Sequence, residues 1–138
     1  MVRQAFYDLK ITSIKKETAH SSRIKFRLPD SLHEKFNHKP GQYISVKFNM
    51  KKNTYTRTYS ISSEPNKSFI EIGVKHIESG MFSEFIKTKK IEDVVKISNP
   101  EGSFIVNSKN ANQLLLIAAG SGITPIMSIL KSTLRKDT

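Results

Sequence analysis

Two different alternations of apolar and polar residues divide this chain. As far as about Val106 the pattern has a period of two, the mark of strands with one buried face. In Arg23 to Leu28, Ile24, Phe26 and Leu28 point one way and Arg23, Lys25 and Arg27 the other. Tyr43 to Phe48 repeats the alternation through Ile44, Val46 and Phe48, after the turn pair Pro40-Gly41. Thr54 to Ser62 sets Tyr55, Arg57, Tyr59 and Ile61 on one face, and Phe69 to Lys75 groups Ile70, Ile72 and Val74. Val94 to Ile97 is a further short run. With Phe6 to Ile14 these make about six strands, spaced as in an antiparallel barrel or sandwich. One interval differs: Met81, Phe82, Phe85 and Ile86 fall at helical spacing and predict a short helix over Gly80 to Lys87.

After Asn107 the pattern changes. Leu114 to Ala119 is a continuous apolar run, as expected of a strand buried on both faces of a parallel sheet. The glycine-rich turn Gly120-Ser121-Gly122-Ile123 follows, and Thr124-Pro125 opens a helix, with threonine as N-cap and proline at the first helical position. Ile126, Met127, Ile129, Leu130 and Leu134 supply its apolar stripe. A lone strand and helix cannot bury both faces of a parallel strand. The expected architecture is therefore mainly β: a six-stranded antiparallel barrel with one short helix over residues 1–108. The first β-α unit of a truncated α/β domain follows over 109–138. The unpartnered stripe predicts self-association through Leu114 to Leu134.

Charge narrows the partners only slightly. Lys plus Arg is 23 against 12 for Asp plus Glu, a net charge of +11, which invites nucleic acid, an acidic protein or a phosphorylated ligand. The lysines are scattered singly or in pairs, so a solvated basic surface accounts for the balance equally well. The lack of cysteine excludes disulfide frameworks, thiolate nucleophiles and cysteine-ligated zinc or iron–sulfur clusters from this chain. The longest apolar run is too short to cross a bilayer, and the opening residues lack the apolar stretch of a secretory signal. A cytoplasmic location is the expectation. His20, His33, His38 and His76 have no metal-ligand spacing; they read as surface or turn histidines, and no metal is expected.

Several segments carry candidate chemistry. The glycines beside Ser121 are adjacent to it, whereas a nucleophile elbow needs them two residues away, which excludes a hydrolase. Glycines after a buried strand let backbone N–H groups approach an anion at a helix start. The full dinucleotide fingerprint is lacking, so a plain tight turn stands as the alternative. In Arg57-Thr58-Tyr59-Ser60, Arg57 and Tyr59 on one face suit a phosphate next to a flat ring, with Ser60 as a donor. The alternative is an edge strand whose arginine reaches for water. Ser79-Gly80-Met81-Phe82-Ser83 offers a second helix start with free N–H groups and a hydroxyl in its first turn, against plain helix capping.

Pro40-Gly41-Gln42-Tyr43, Arg57-Thr58-Tyr59-Ser60, Gly80-Met81-Phe82-Ser83, Pro100-Glu101-Gly102-Ser103-Phe104 and Gly120-Ser121-Gly122-Ile123-Thr124-Pro125 follow one another in that order. On these motifs the chain resembles the ferredoxin–NADP reductase superfamily from Phe6 to Leu134. Within it the chain is most similar to reductase components of oxygenases, such as that of phenylacetyl-CoA epoxidase. The resemblance implies an FAD-binding barrel followed by the start of an NAD(P)-binding domain. It implies that Arg57 pairs with the FAD pyrophosphate, that Tyr59 lies against the isoalloxazine ring and that Ser60 hydrogen-bonds near the flavin N5. Val74 and Lys75 would offer backbone contacts, and Gly80, Met81, Phe82 and Ser83 would hold the pyrophosphate. Gly120, Gly122 and Thr124 would begin the NAD(P)H site, with Thr124 close to the flavin; Tyr59, Ser60 and Thr124 are the residues nearest the chemistry. The implied function is the flavin module of an NAD(P)H-dependent electron-transfer reductase. Hydride passes from NAD(P)H to FAD, and single electrons pass on to an iron–sulfur or oxygenase partner, a [2Fe-2S] cluster belonging to a further C-terminal domain. One alternative is a flavin reductase without an iron–sulfur domain. Another, of a different class, is a basic barrel binding single-stranded nucleic acid. Against that stand the 9% aromatic content and the absence of tryptophan.

Overall fold

The computed structural model describes residues 4–106 and 113–135. Among the described residues there are six strands and two α-helices: β1 Phe6–Thr18, β2 Ser21–Arg27, β3 Tyr43–Met50, β4 Asn53–Ser60, β5 Phe69–Lys75, α1 Met81–Lys87, β6 Val94–Ser98 and α2 Ile123–Leu134. All pairings are antiparallel, and the order across the sheet is β4-β3-β6-β1-β2-β5. The alternation read from the sequence sets the register. Val46 pairs with Ile97 and Ile24 with Ile72, so inward side chains meet across neighbouring strands. Leu9, Ile11, Phe26, Ile44, Ile72 and Ile97 at the centre are excluded from water.

The sheet curls until its edge strands meet, but only at one corner. Ile61, just past β4, bridges to Ile72 of β5. Beside it the Ser62 amide donates to the Glu71 carbonyl at 2.8 Å, and the Glu71 amide to Ser63 Oγ at 3.1 Å. Along the rest of the two strands no ladder joins β4 to β5 among the described residues, so the expected barrel is closed at a corner rather than throughout. Thr54, Thr56 and Thr58 on the outer side of β4 are exposed.

α1 covers the open side near this edge. Phe82 and Ile86 turn inward, and Phe82 packs on Phe48 at 5.2 Å and on Tyr59 at 4.7 Å between ring centroids. Gly41, in the turn before β3, has φ +102°, and a Cβ there would lie 1.8 Å from the Phe104 carbonyl oxygen; only glycine fits.

The second unit departs from expectation. Residues 113–119 form no ladder, with Leu115 84% and Ile117 79% exposed. A parallel strand needs neighbours to take its N–H and C=O groups, and none is present among the described residues. The helix begins at Ile123, with Gly122 at the N-cap. Thr124 therefore lies inside the first turn, its hydroxyl donating to the Ser121 carbonyl at 2.8 Å, and Pro125 remains in the turn where its missing N–H is not required. The expected boundary between 108 and 109 lies outside the described residues.

Candidate functional site

β4 delivers Arg57 and Tyr59 to one face by its period of two, opposite Val46 and Ile44 of β3. Arg57 is exposed, and its Nη1 donates to the Thr56 carbonyl at 2.9 Å, leaving the rest of the guanidinium fork toward solvent. Tyr59 is half-buried against Phe82. Burial pushes its phenol up to about 12, with Arg57 pulling weakly the other way, so the ring is neutral at physiological pH. Ser60 ends the strand, one residue before the bridge at Ile61.

Across the seam stand the β5 residues. The Val74 side chain is buried in the barrel, so only its backbone is available to a ligand; Lys75 is exposed. Continuing the register of the Ile61–Ile72 bridge sets Ser60 across from Gly73 and Tyr59 across from Val74, over a gap that no ladder closes. A Cβ on Gly73 would stand 2.7 Å from Cγ2 of Thr124. Glycine at this position lets the start of α2 lie directly on the strand.

A cavity of about 520 Å³ opens between β5, the β1–β2 turn and α2. Gly73, Val74 and Lys75 line one wall, and Gly120, Ser121 and Thr124 another. Gly120 has φ +56° in a 3-10 turn that leads into α2. Arg57, Tyr59, Ser60 and the start of α1 are not in this lining; they form a second group on the β4 side of the seam. At that helix start Gly80 is the N-cap and Met81 is half-buried, while Phe82 and Ser83 are buried. The Ser83 hydroxyl accepts the Ile77 amide at 3.0 Å, so it braces the preceding loop rather than standing free.

The polar docking of α2 was not read from the sequence. Its Ser128 hydroxyl donates to the Ser63 carbonyl at 2.6 Å. Lys131 Nζ donates to the Ser62 carbonyl at 3.0 Å and reaches the Glu71 carboxylate at 3.4 Å. Glu71, only 3% exposed, also meets Arg23 and Lys25 at 3.7 Å each. The legible signal was a glutamate among isoleucines and the spacing of Thr124, Ser128 and Lys131 on one helix face. The histidines also need correction. His38 is buried, its ring nitrogens 3.4 and 3.3 Å from the Phe36 and Ser63 carbonyls, and burial holds it below the usual imidazole range. His76 is half-buried against the Ser22 hydroxyl at 2.8 Å. Among the described residues no group of three acidic, histidine or cysteine side chains could hold a metal ion. Nor is any helix long and apolar enough to cross a membrane.

The fold is thus a β-barrel open at one seam, with an arginine and a tyrosine on one lip, the outer edge of β5 on the other, and α2 docked beside it. Residues 8–105 match the oxidoreductase FAD-binding domain, and the chain belongs to that family. It is 39% identical over 111 residues to flavohemoprotein B of Dictyostelium discoideum, covering 69% of this chain and 26% of that protein. It is 31% identical over 135 residues to a component of the 1,2-phenylacetyl-CoA epoxidase of Escherichia coli, covering 96% of this chain and 38% of that one. Its fold is shared with a ferredoxin NADP+ reductase from Neisseria gonorrhoeae solved with bound FAD and NADP. That match has a TM-score of 0.83 at 23% identity and covers 98% of this chain and 54% of that chain. The chain thus spans well under half the length of both curated relatives. Membership of the FAD-binding family decides against the nucleic-acid-binding alternative.

Proposed function

We propose that this chain is the flavin module of an NAD(P)H-dependent electron-transfer reductase, with FAD lying across the open seam between β4 and β5. The observation that carries the reading is the seam itself. An exposed guanidinium and a half-buried phenol lie on one strand, and the edge of β5 at Gly73 to Lys75 that does not pair with β2 faces them. Arg57 and the start of α1 at Gly80, Met81, Phe82 and Ser83 would hold the pyrophosphate. Tyr59 would lie on the ring, and Ser60 would donate to it. Val74 and Lys75 would meet the ring edge through their backbone, with Gly120, Gly122 and Thr124 forming the wall on the NAD(P)H side. When bound, FAD supplies acceptance of a hydride and release of single electrons; the chain supplies grip, orientation and exclusion of water.

The reading extends to a cytoplasmic protein in which residues 1–108 form the flavin domain and 109–138 begin the nucleotide domain. It passes electrons to an oxygenase or iron–sulfur partner. Similarity to an epoxidase component along 96% of this chain supports an oxygenase partner. The test is reconstitution. Purified chain mixed with FAD and desalted should retain a resolved flavin absorption spectrum. A colourless protein that instead binds oligonucleotides in a salt-sensitive manner would overturn the proposal.

A further inference from the structure

α2 reaches the barrel through directional polar contacts as much as through its apolar stripe. Thr124, Ser128 and Lys131 recur at i, i+4 and i+7 and so share one face of the helix. Each meets the seam: Thr124 at Gly73, Ser128 at the Ser63 carbonyl, and Lys131 at both the Ser62 carbonyl and Glu71. Of the expected stripe, Ile129 is buried, but Leu134 is 62% exposed. Apolar faces tolerate sliding, whereas hydrogen bonds of 2.6 and 3.0 Å do not survive a displacement of even one helical residue, about 1.5 Å along the axis.

We infer that Lys131 and Glu71 form a clamp that sets the register of α2 on the seam, and thereby fixes where Thr124 stands against Gly73 to Lys75. They are positioning residues for the cavity beside the flavin edge. The inference rests on the flavin-binding reading of the seam and adds to it the device that holds the NAD(P)H-side wall in place. Glu71 can hold this role because it belongs to the barrel rather than to the helix. Its carboxylate accepts the Ser62 hydroxyl at 3.0 Å and faces Arg23 and Lys25 as well as Lys131. Those partners keep it compensated when Lys131 is replaced, so the helix anchor can be removed without stranding a buried charge.

The experiment compares the wild-type chain with Lys131→Met, Lys131→Arg and Glu71→Gln. Hydrogen exchange of the flavin-free proteins reads the clamp alone. Amides of α2 should exchange about tenfold faster in Lys131→Met, the change expected on loss of a hydrogen bond to a charged group, and Lys131→Arg should restore much of the protection. Amides of β1 and β2 should not change. With FAD bound, iodide should quench the flavin of Lys131→Met at least about twofold more readily, while its dissociation constant stays within about threefold because the pyrophosphate is held elsewhere. Unchanged α2 exchange in both Lys131→Met and Glu71→Gln would overturn the clamp. Faster exchange with an identical flavin spectrum and identical quenching would overturn its positioning role. A wild-type chain that takes up no flavin would overturn the functional reading and the positioning claim with it, while exchange would still decide the clamp. Should Glu71→Gln fail to fold, Ser128→Ala replaces it, because that change removes only the neighbouring helix contact.

Discussion

Among the described residues exposed Arg57 bonds only to its neighbour's carbonyl, so its replacement should not harm folding. Arg57→Ala is expected to weaken FAD binding by about 1.5 kcal/mol, the low end for a hydrogen bond to a charged group because water screens this one. Titration of the apo-protein with FAD measures it, and an unchanged dissociation constant would take Arg57 out of the site. Gly73 is the opposite case, a residue whose whole role is to have no side chain. Gly73→Ala forces a β-branched threonine to move from a 2.7 Å contact, so a loss of about 1–3 kcal/mol is expected in denaturant unfolding. His38 gives a pH signature. Burial lowers its folded pKa beneath the ordinary 6.5, so the unfolded chain binds more protons between those two values. Stability should therefore fall as pH drops below about 6.5, and thermal unfolding at pH 5 and 7.5 should show a smaller difference in His38→Gln than in the wild type. Arg57 and Tyr59 could be read in advance because strand alternation assigns them to one face. The contact between Gly73 and Thr124 and the burial of His38 could not, since both are made between segments far apart in the chain.

The strands were legible because each carries an apolar face of period two, and all six formed with ends shifted by a few residues. The short helix was legible for the corresponding reason at period 3.6. The run from Leu114 to Ala119 misled because its composition asks for a parallel neighbour, and composition does not say whether one is available. The start of α2 lies ahead of the expected one because threonine is a favoured N-cap, while the structure uses Gly122. The proposed site gives the phosphate to two separate elements, β4 with Arg57 and α1 with its first turn. That arrangement suits a pyrophosphate, so FAD should bind more tightly than FMN in calorimetry; equal affinities would remove α1 from the site.

At the scale of the molecule, a well-packed barrel carries an apolar margin. Leu115, Ile117, Ile123, Leu134 and Phe104 are all substantially exposed, and large apolar side chains left in water favour association. The chain is expected to self-associate in light scattering as its concentration rises. Leu115→Asp with Ile117→Asp should reduce association while leaving the barrel's melting temperature in place. The sheet order has a consequence of another kind, in time rather than space. β1 is the third strand from the β5 edge, and its other neighbour is β6, so Phe6 must find Ser98 before the sheet is continuous. The hairpins β1–β2 and β3–β4 can form early, from local sequence, but until the last strand arrives they are linked only through β5 at the Ile61–Ile72 corner. A ribosome must release nearly the whole barrel before its sheet can be completed. Refolding, followed by tyrosine fluorescence since the chain has no tryptophan, should fall in the slow range of about milliseconds to seconds typical of non-local β topologies. Until β6 arrives, the inner edges of both hairpins are open to the wrong partner.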